Sequence, residues 1–184
     1  MLLAIGFQGG ILIVAVALGY VLGFQFWEAI SWSAAPVAFG ILISIPMTLA
    51  VILLVETAPG PFERMRKDLE LVIGLFKNCT LLDVLWLSIL AGVGEEALFR
   101  GVLQPFRGQY TGPVASILIV GAVFGLIHAI SLMYAVYAGI VGVGLGALYY
   151  WQGNLLAPMT VHAAYDFFAL AYGLRLFPLI ARKD

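Results

Sequence analysis

A chain of 184 residues that is 63% hydrophobic and only 10% charged is not an ordinary soluble domain, where about a quarter of residues carry charge. A mean hydropathy of +1.07 makes it an integral membrane protein whose surroundings are the lipid bilayer. The net charge of -1, with no basic stretch interleaved with aromatics, argues against nucleic acid, and a single cysteine, Cys79, rules out an intramolecular disulfide and a cysteine-built metal cluster.

The N-terminal apolar run lacks a basic leader and continues past twenty residues, as a retained span does and a cleaved signal does not. A first span is predicted over 2–24, followed at 25–35 by an interfacial stretch bearing Trp27, Glu28 and Trp32. A second span covers 36–55, with Pro46 expected to kink it. The one strongly polar stretch, 58–70, opens at Pro59, Gly60 and Pro61; 69–76 then offers an apolar face that lies along the headgroups or forms part of a solvated linker. The third span, 81–106, is followed by a loop containing Arg107, Gly108 and Gly112.

The fourth span, 113–130, carries Gly121 and Gly125 at the spacing that lets helix backbones approach, with His128 counted onto the same face. The fifth, 132–151, repeats a small-residue stripe at Ala138, Gly142 and Gly146, and the sixth, 154–178, holds His162 and Asp166 four apart. The expected fold is therefore all-α: one polytopic transmembrane bundle of about six spans over 1–184. An even number of spans puts both termini beside Arg64, Arg66, Lys67, Lys77, Arg175, Arg182 and Lys183, against Arg107 alone on the opposite side. The positive-inside rule then makes the termini cytoplasmic.

Within the third span, which carries Glu95, Glu96 and Arg100, Glu95 lies about 21 Å along a helix begun at Leu81, so the acids are well inside the bilayer. A charged group there costs about 2.5 to 3.5 kcal/mol even on the lenient insertion scale, so it must be paired or wet, and such residues mark function. Glu96 and Arg100 have the spacing and order of an ion pair. Glu95 points about 100° away and is left free to act as a base. A purely helix-stabilising cluster is the alternative for these three residues alone. His128, His162 and Asp166 on two other spans complete a polar set from three helices, with the carboxylate and imidazole needed to activate a water for amide hydrolysis. The same groups suit a divalent metal such as zinc, with Glu95, His128 and His162 as candidate ligands, and spacing does not choose between the two.

Glu95-Glu96-Ala97-Leu98-Phe99-Arg100, Phe124 followed by His128, and His162 followed by Asp166, in this order on successive spans, resemble the three motifs of the CAAX protease and bacteriocin-processing (CPBP, abortive-infection) family of intramembrane proteases. The resemblance covers about 81–172, the expected catalytic core. It implies that Glu95 with His128 activates water, that His162 and Asp166 bind the oxyanion or orient the site, and that Glu96, Arg100 and Phe124 support them. Asp166 stands where the eukaryotic prenyl-protein proteases have Asn, which directs the expectation to a prokaryotic cytoplasmic-membrane endopeptidase acting on peptides or membrane-protein segments. A non-enzymatic bacteriocin-immunity or regulatory scaffold is the competing expectation.

Overall fold

The computed structural model describes residues 2–57 and 60–180; the predicted break at Pro59 and the charged tail Arg182, Lys183 and Asp184 lie outside them. Every regular element among the described residues is helical. Helix α1 (Leu2–Leu22) leads through a short 3-10 turn (Phe26–Ala29) to α2 (Ala34–Thr57), which runs through Pro46 without interruption. Then come α3 (Pro61–Leu75), α4 (Leu81–Leu98), a π-helical turn (Phe99–Leu103), α5 (Gln104–Thr111), α6 (Pro113–Ile127), α7 (Leu132–Gln152) and α8 (Leu156–Ile180). By length and composition α1, α2 and α7 are each able to cross a bilayer alone, α6 is a shorter apolar helix, and α4 and α8 carry the ionisable side chains. The whole is a polytopic helical bundle.

Local chemistry sets the helix ends. The Thr80 hydroxyl accepts the Asp83 N–H at 3.2 Å while the Asp83 carboxylate accepts the Thr80 N–H at 2.8 Å, a reciprocal cap that starts α4. Ser131 caps α7 by accepting the Tyr134 N–H at 3.2 Å and donates its own proton to Asp68, tying α3 to the start of α7. Gly153, at φ +60°, ends α7 in the left-handed conformation.

Small residues bring the helices together. A Cβ built on Gly92 of α4 meets the Ala163 backbone nitrogen of α8 at 2.7 Å, and one on Gly125 of α6 meets the Ala135 carbonyl of α7 at 2.4 Å, so neither position admits a side chain at the present separation. Helix α4 is thus held between α1 and α8, with α2 beyond α8 and the α6–α7 pair on another flank. Leu42, Leu49, Leu53, Leu126, Leu132, Ile140 and Trp151 are exposed on the outside. Apolar exposure on this scale has no place on a soluble monomer and matches a lipid-facing wall.

Three expectations change. Residues 107–111, read as loop, are helical: α5 continues directly from the π turn and ends at Gly112, whose φ of +78° stops it. The polar stretch is no solvated linker, since α3 is a 15-residue helix that buries Met65 and packs on α2, α7 and α8. His128 does not join the Gly121–Gly125 contact; it caps α6, half-buried, and turns toward α4.

Candidate active site

All seven residues singled out from the sequence converge where α4, the π turn, α6 and α8 meet. Glu96 and Arg100 are fully buried. Arg100 Nη1 donates to Glu96 Oε1 at 2.7 Å and Nη2 donates to the Gly142 carbonyl of α7 at 2.6 Å. Four residues on, Gln104 Nε2 donates to the Gly146 carbonyl at 3.0 Å, so the π-turn segment is stitched twice to α7. A π turn widens the helix by one residue, a device concentrated at functional sites, and Arg100 leaves the helix there.

Glu96 Oε1 also accepts from His162 Nδ1 at 2.8 Å. The expected partner of the imidazole, Asp166, instead lies 3.5 Å from the other ring nitrogen, Nε2. Both His162 nitrogens therefore face carboxylate oxygens, a setting for a doubly protonated ring that donates from each. Phe124 is the common wall: its ring lies under the Arg100 guanidinium at 4.7 Å, stacks on His128 at 4.3 Å and meets His162 edge-on at 5.9 Å.

His128 Nδ1 lies 2.8 Å from the Phe124 carbonyl oxygen. A carbonyl only accepts, so Nδ1 carries the proton, and Nε2 accepts in the neutral ring and donates in the imidazolium. Nε2 faces Glu95 Oε2 at 3.4 Å, with His162 Nε2 4.0 Å from the same oxygen. Glu95 Oε2 is buried and has no hydrogen-bond partner among the described residues, while Oε1 accepts from Gln8 Nε2 of α1 at 3.1 Å. Glu95, His128, His162 and Asp166 open into a cavity of about 380 Å³ that extends to Arg66 and Ile73 of α3.

Glu95, His128 and His162, the candidate metal ligands, lie together, with both Nε2 atoms within 4.0 Å of Glu95 Oε2. Among the described residues no three or more His, Cys, Asp or Glu side chains come together in an arrangement that holds a metal ion.

Residues 77–168, half of the chain, match the family model described as type II CAAX prenyl endopeptidase Rce1-like. The chain belongs to the Rce1-like family. Every motif residue from Glu95 to Asp166 falls inside the matched segment, whereas Gln8 and all of α1 to α3 precede it. The chain is also 30% identical over 128 residues to YpbD, an uncharacterized protein of Bacillus subtilis, covering 70% of this chain and 64% of that one. It therefore spans just under two thirds of that relative's length. No solved structure matches. Membership of the Rce1-like family and the apolar helices together identify an integral membrane protein that carries an Rce1-like segment.

Four residues at the site lie outside the motifs: Gln8, Gly142, Tyr137 and Tyr165. Gln8 had a signal, being the one amide in the apolar run of α1. The Gly142 carbonyl had none, because a backbone acceptor looks the same in every sequence. Tyr137 and Tyr165, whose hydroxyls are 2.5 Å apart beside Asp166 on the cavity wall, read as ordinary membrane aromatics.

Proposed function

We propose that this protein is an intramembrane endopeptidase whose core, residues 81–172 of a single membrane domain, hydrolyses peptide bonds of membrane-associated peptides or proteins with water activated by Glu95 and His128. The observation that carries the reading is the carboxylate–imidazole pair, Glu95 Oε2 and His128 Nε2, 3.4 Å apart in a cavity. With His128 neutral both atoms are acceptors, and a water seated against both donates to them, as hydrolysis requires.

As the water oxygen attacks the scissile carbonyl carbon, Glu95 takes its proton and the carbonyl π electrons move onto oxygen. His162, held on Nδ1 by Glu96, donates from Nε2 to that oxyanion, and Asp166 balances the imidazolium charge. Collapse of the tetrahedral intermediate breaks the C–N bond, and the proton on Glu95 passes to the departing amine. Gln8 holds the second oxygen of Glu95, and the Glu96–Arg100 pair fixes His162. No step runs through a metal.

The test uses protein purified in detergent and a peptide library in which each sequence is present both unmodified and S-farnesylated. Glu95→Gln should keep the fold and lower cleavage by about 10²- to 10⁴-fold, the ordinary contribution of a general base. His128→Ala should lower it as well. Wild-type activity that survives chelators supports the carboxylate–imidazole mechanism; zinc bound stoichiometrically and required for turnover overturns it. No cleavage by folded wild type overturns the endopeptidase reading itself.

A further inference from the structure

Between the ionisable site and α3, the cavity wall carries a polar feature that the proposed hydrolysis leaves unused. Tyr137 of α7 and Tyr165 of α8 project from facing helices and their hydroxyls meet at 2.5 Å. Tyr165 follows His162 by three residues and immediately precedes Asp166, so all three share one face of α8. It lies about 4.5 Å along the helix axis from His162, on the side leading to Gly173, where α8 meets Ile73 of α3. Both tyrosines line the same cavity as Glu95 and His128.

Proton counting gives this pair its chemistry. Two phenols hold two protons, and their mutual bond uses one. Whichever oxygen donates, the other hydroxyl keeps a proton, and among the described residues neither hydroxyl makes another hydrogen bond. The pair therefore presents one O–H donor, together with free lone pairs, to a cavity whose walls toward α3 are mostly aliphatic: Val51, Leu69, Ile73, Ala169 and Leu170. In such surroundings a donor binds an acceptor more strongly than in water, and its mutual bond polarises it further. An extended peptide lying along the cavity offers a backbone carbonyl oxygen every residue, and its amide N–H groups suit the lone pairs.

We propose that the Tyr137–Tyr165 hydroxyl pair is a substrate-positioning group that binds a backbone carbonyl of the peptide on the α3 side of the scissile bond. This inference rests on the endopeptidase reading for its substrate class, but not on turnover for its test. The contact is the same before and during the reaction, so it contributes uniform binding and acts on KM without changing kcat. Tyr134, one helical turn before Tyr137 on α7, lines the same wall and extends the strip toward the Ser131–Asp68 contact.

Tyr137→Phe, Tyr165→Phe and the double variant remove hydroxyls while keeping ring volume, and Tyr110→Phe, exposed at 69%, serves as the control. The first readout is equilibrium binding of a fluorescent ten-residue peptide, unmodified or S-farnesylated, to detergent-purified protein carrying Glu95→Gln. The double variant should bind about threefold to tenfold more weakly than that background, the weight of one hydrogen bond, and Tyr110→Phe should bind equally. The second readout is the KM against kcat split with Glu95 intact, where KM should rise by the same factor. Unchanged binding in the double variant overturns the inference, as does a loss confined to kcat. Peptide that binds wild type without being cut, yet binds the double variant more weakly, overturns the endopeptidase reading and leaves the tyrosine site standing. Peptide that binds no form overturns both.

Discussion

Glu96 Oε1 accepts from Arg100 and His162 at once, and neither Glu96 nor Arg100 has any exposed surface. Removing the guanidinium leaves a buried carboxylate without its counter-charge, a change that typically costs about 3 to 5 kcal/mol. Arg100→Leu is therefore expected to lower the apparent Tm in detergent sharply or to prevent folding, whereas Glu95→Gln, which keeps its bond from Gln8, should melt close to wild type. Equal melting of Arg100→Leu and wild type, followed by tryptophan fluorescence, would show that the pair is not structural. Gln8 acts through Glu95 by holding Oε1, which leaves Oε2 aimed at His128. Gln8→Leu should lower kcat with KM unchanged, and Gln8→Asn, one methylene short of the 3.1 Å contact, should behave alike. The motif residues were legible because charge and imidazole in an apolar run are expensive and so announce themselves. Gln8, the one amide in the apolar run of α1, is uncharged and so a weaker signal, and the tyrosine pair becomes a pair only when α7 and α8 come together.

At the scale of the element, the α6–α7 contact positions two parts of the site. Helix α6 ends in Phe124 and His128, and α7 supplies the Gly142 carbonyl to Arg100. With the Ala135 carbonyl 2.4 Å from any Cβ at position 125, Gly125→Leu must push the helices apart and carry His128 away from Glu95. Both thermal stability and cleavage should fall. Gly144→Ala, on the same α7 but with nothing within 4 Å of its Cβ, should leave both unchanged. If both substitutions are tolerated alike, the close approach is not what orients the histidine. The spans themselves were legible from the lengths of the apolar runs. The π turn was not, because its Phe-Arg-Gly-Val-Leu sequence has no marker distinguishing it from ordinary helix; at this turn Arg100 and Gln104 reach α7. Helix α3 was visible only as amphipathic; its seat over the cavity depends on Met65 being buried and on Ile73 filling the space left at Gly173.

Across the whole molecule, charge and cavity share one end. Arg64, Arg66, Lys67, Lys77 and Arg175 cluster on or near α3 and the C-terminal part of α8, while Arg107 is the exposed base at the far end, within α5. The cavity reaches α3, so the route from Glu95 and His128 to water leads to the basic end. Basic residues in short loops are retained on the cytoplasmic side during insertion, and we infer that α3 and the adjoining cavity face the cytoplasm, with substrate approaching from that side. Asn78 and Gln109 are exposed on opposite sides of the α4–α5 stretch and carry no charge, which makes them neutral reporters of orientation. In a Cys79→Ser background, Asn78→Cys should react with a membrane-impermeant maleimide only after cells are opened, and Gln109→Cys should react in intact cells. The reverse pattern would put the cavity on the outer side and require substrates delivered from there, leaving the chemistry at Glu95 untouched but excluding cytoplasmic peptides. Labelling of both positions in intact cells would mean that the α4–α5 stretch does not cross the bilayer, and the bundle would need a different count of spans.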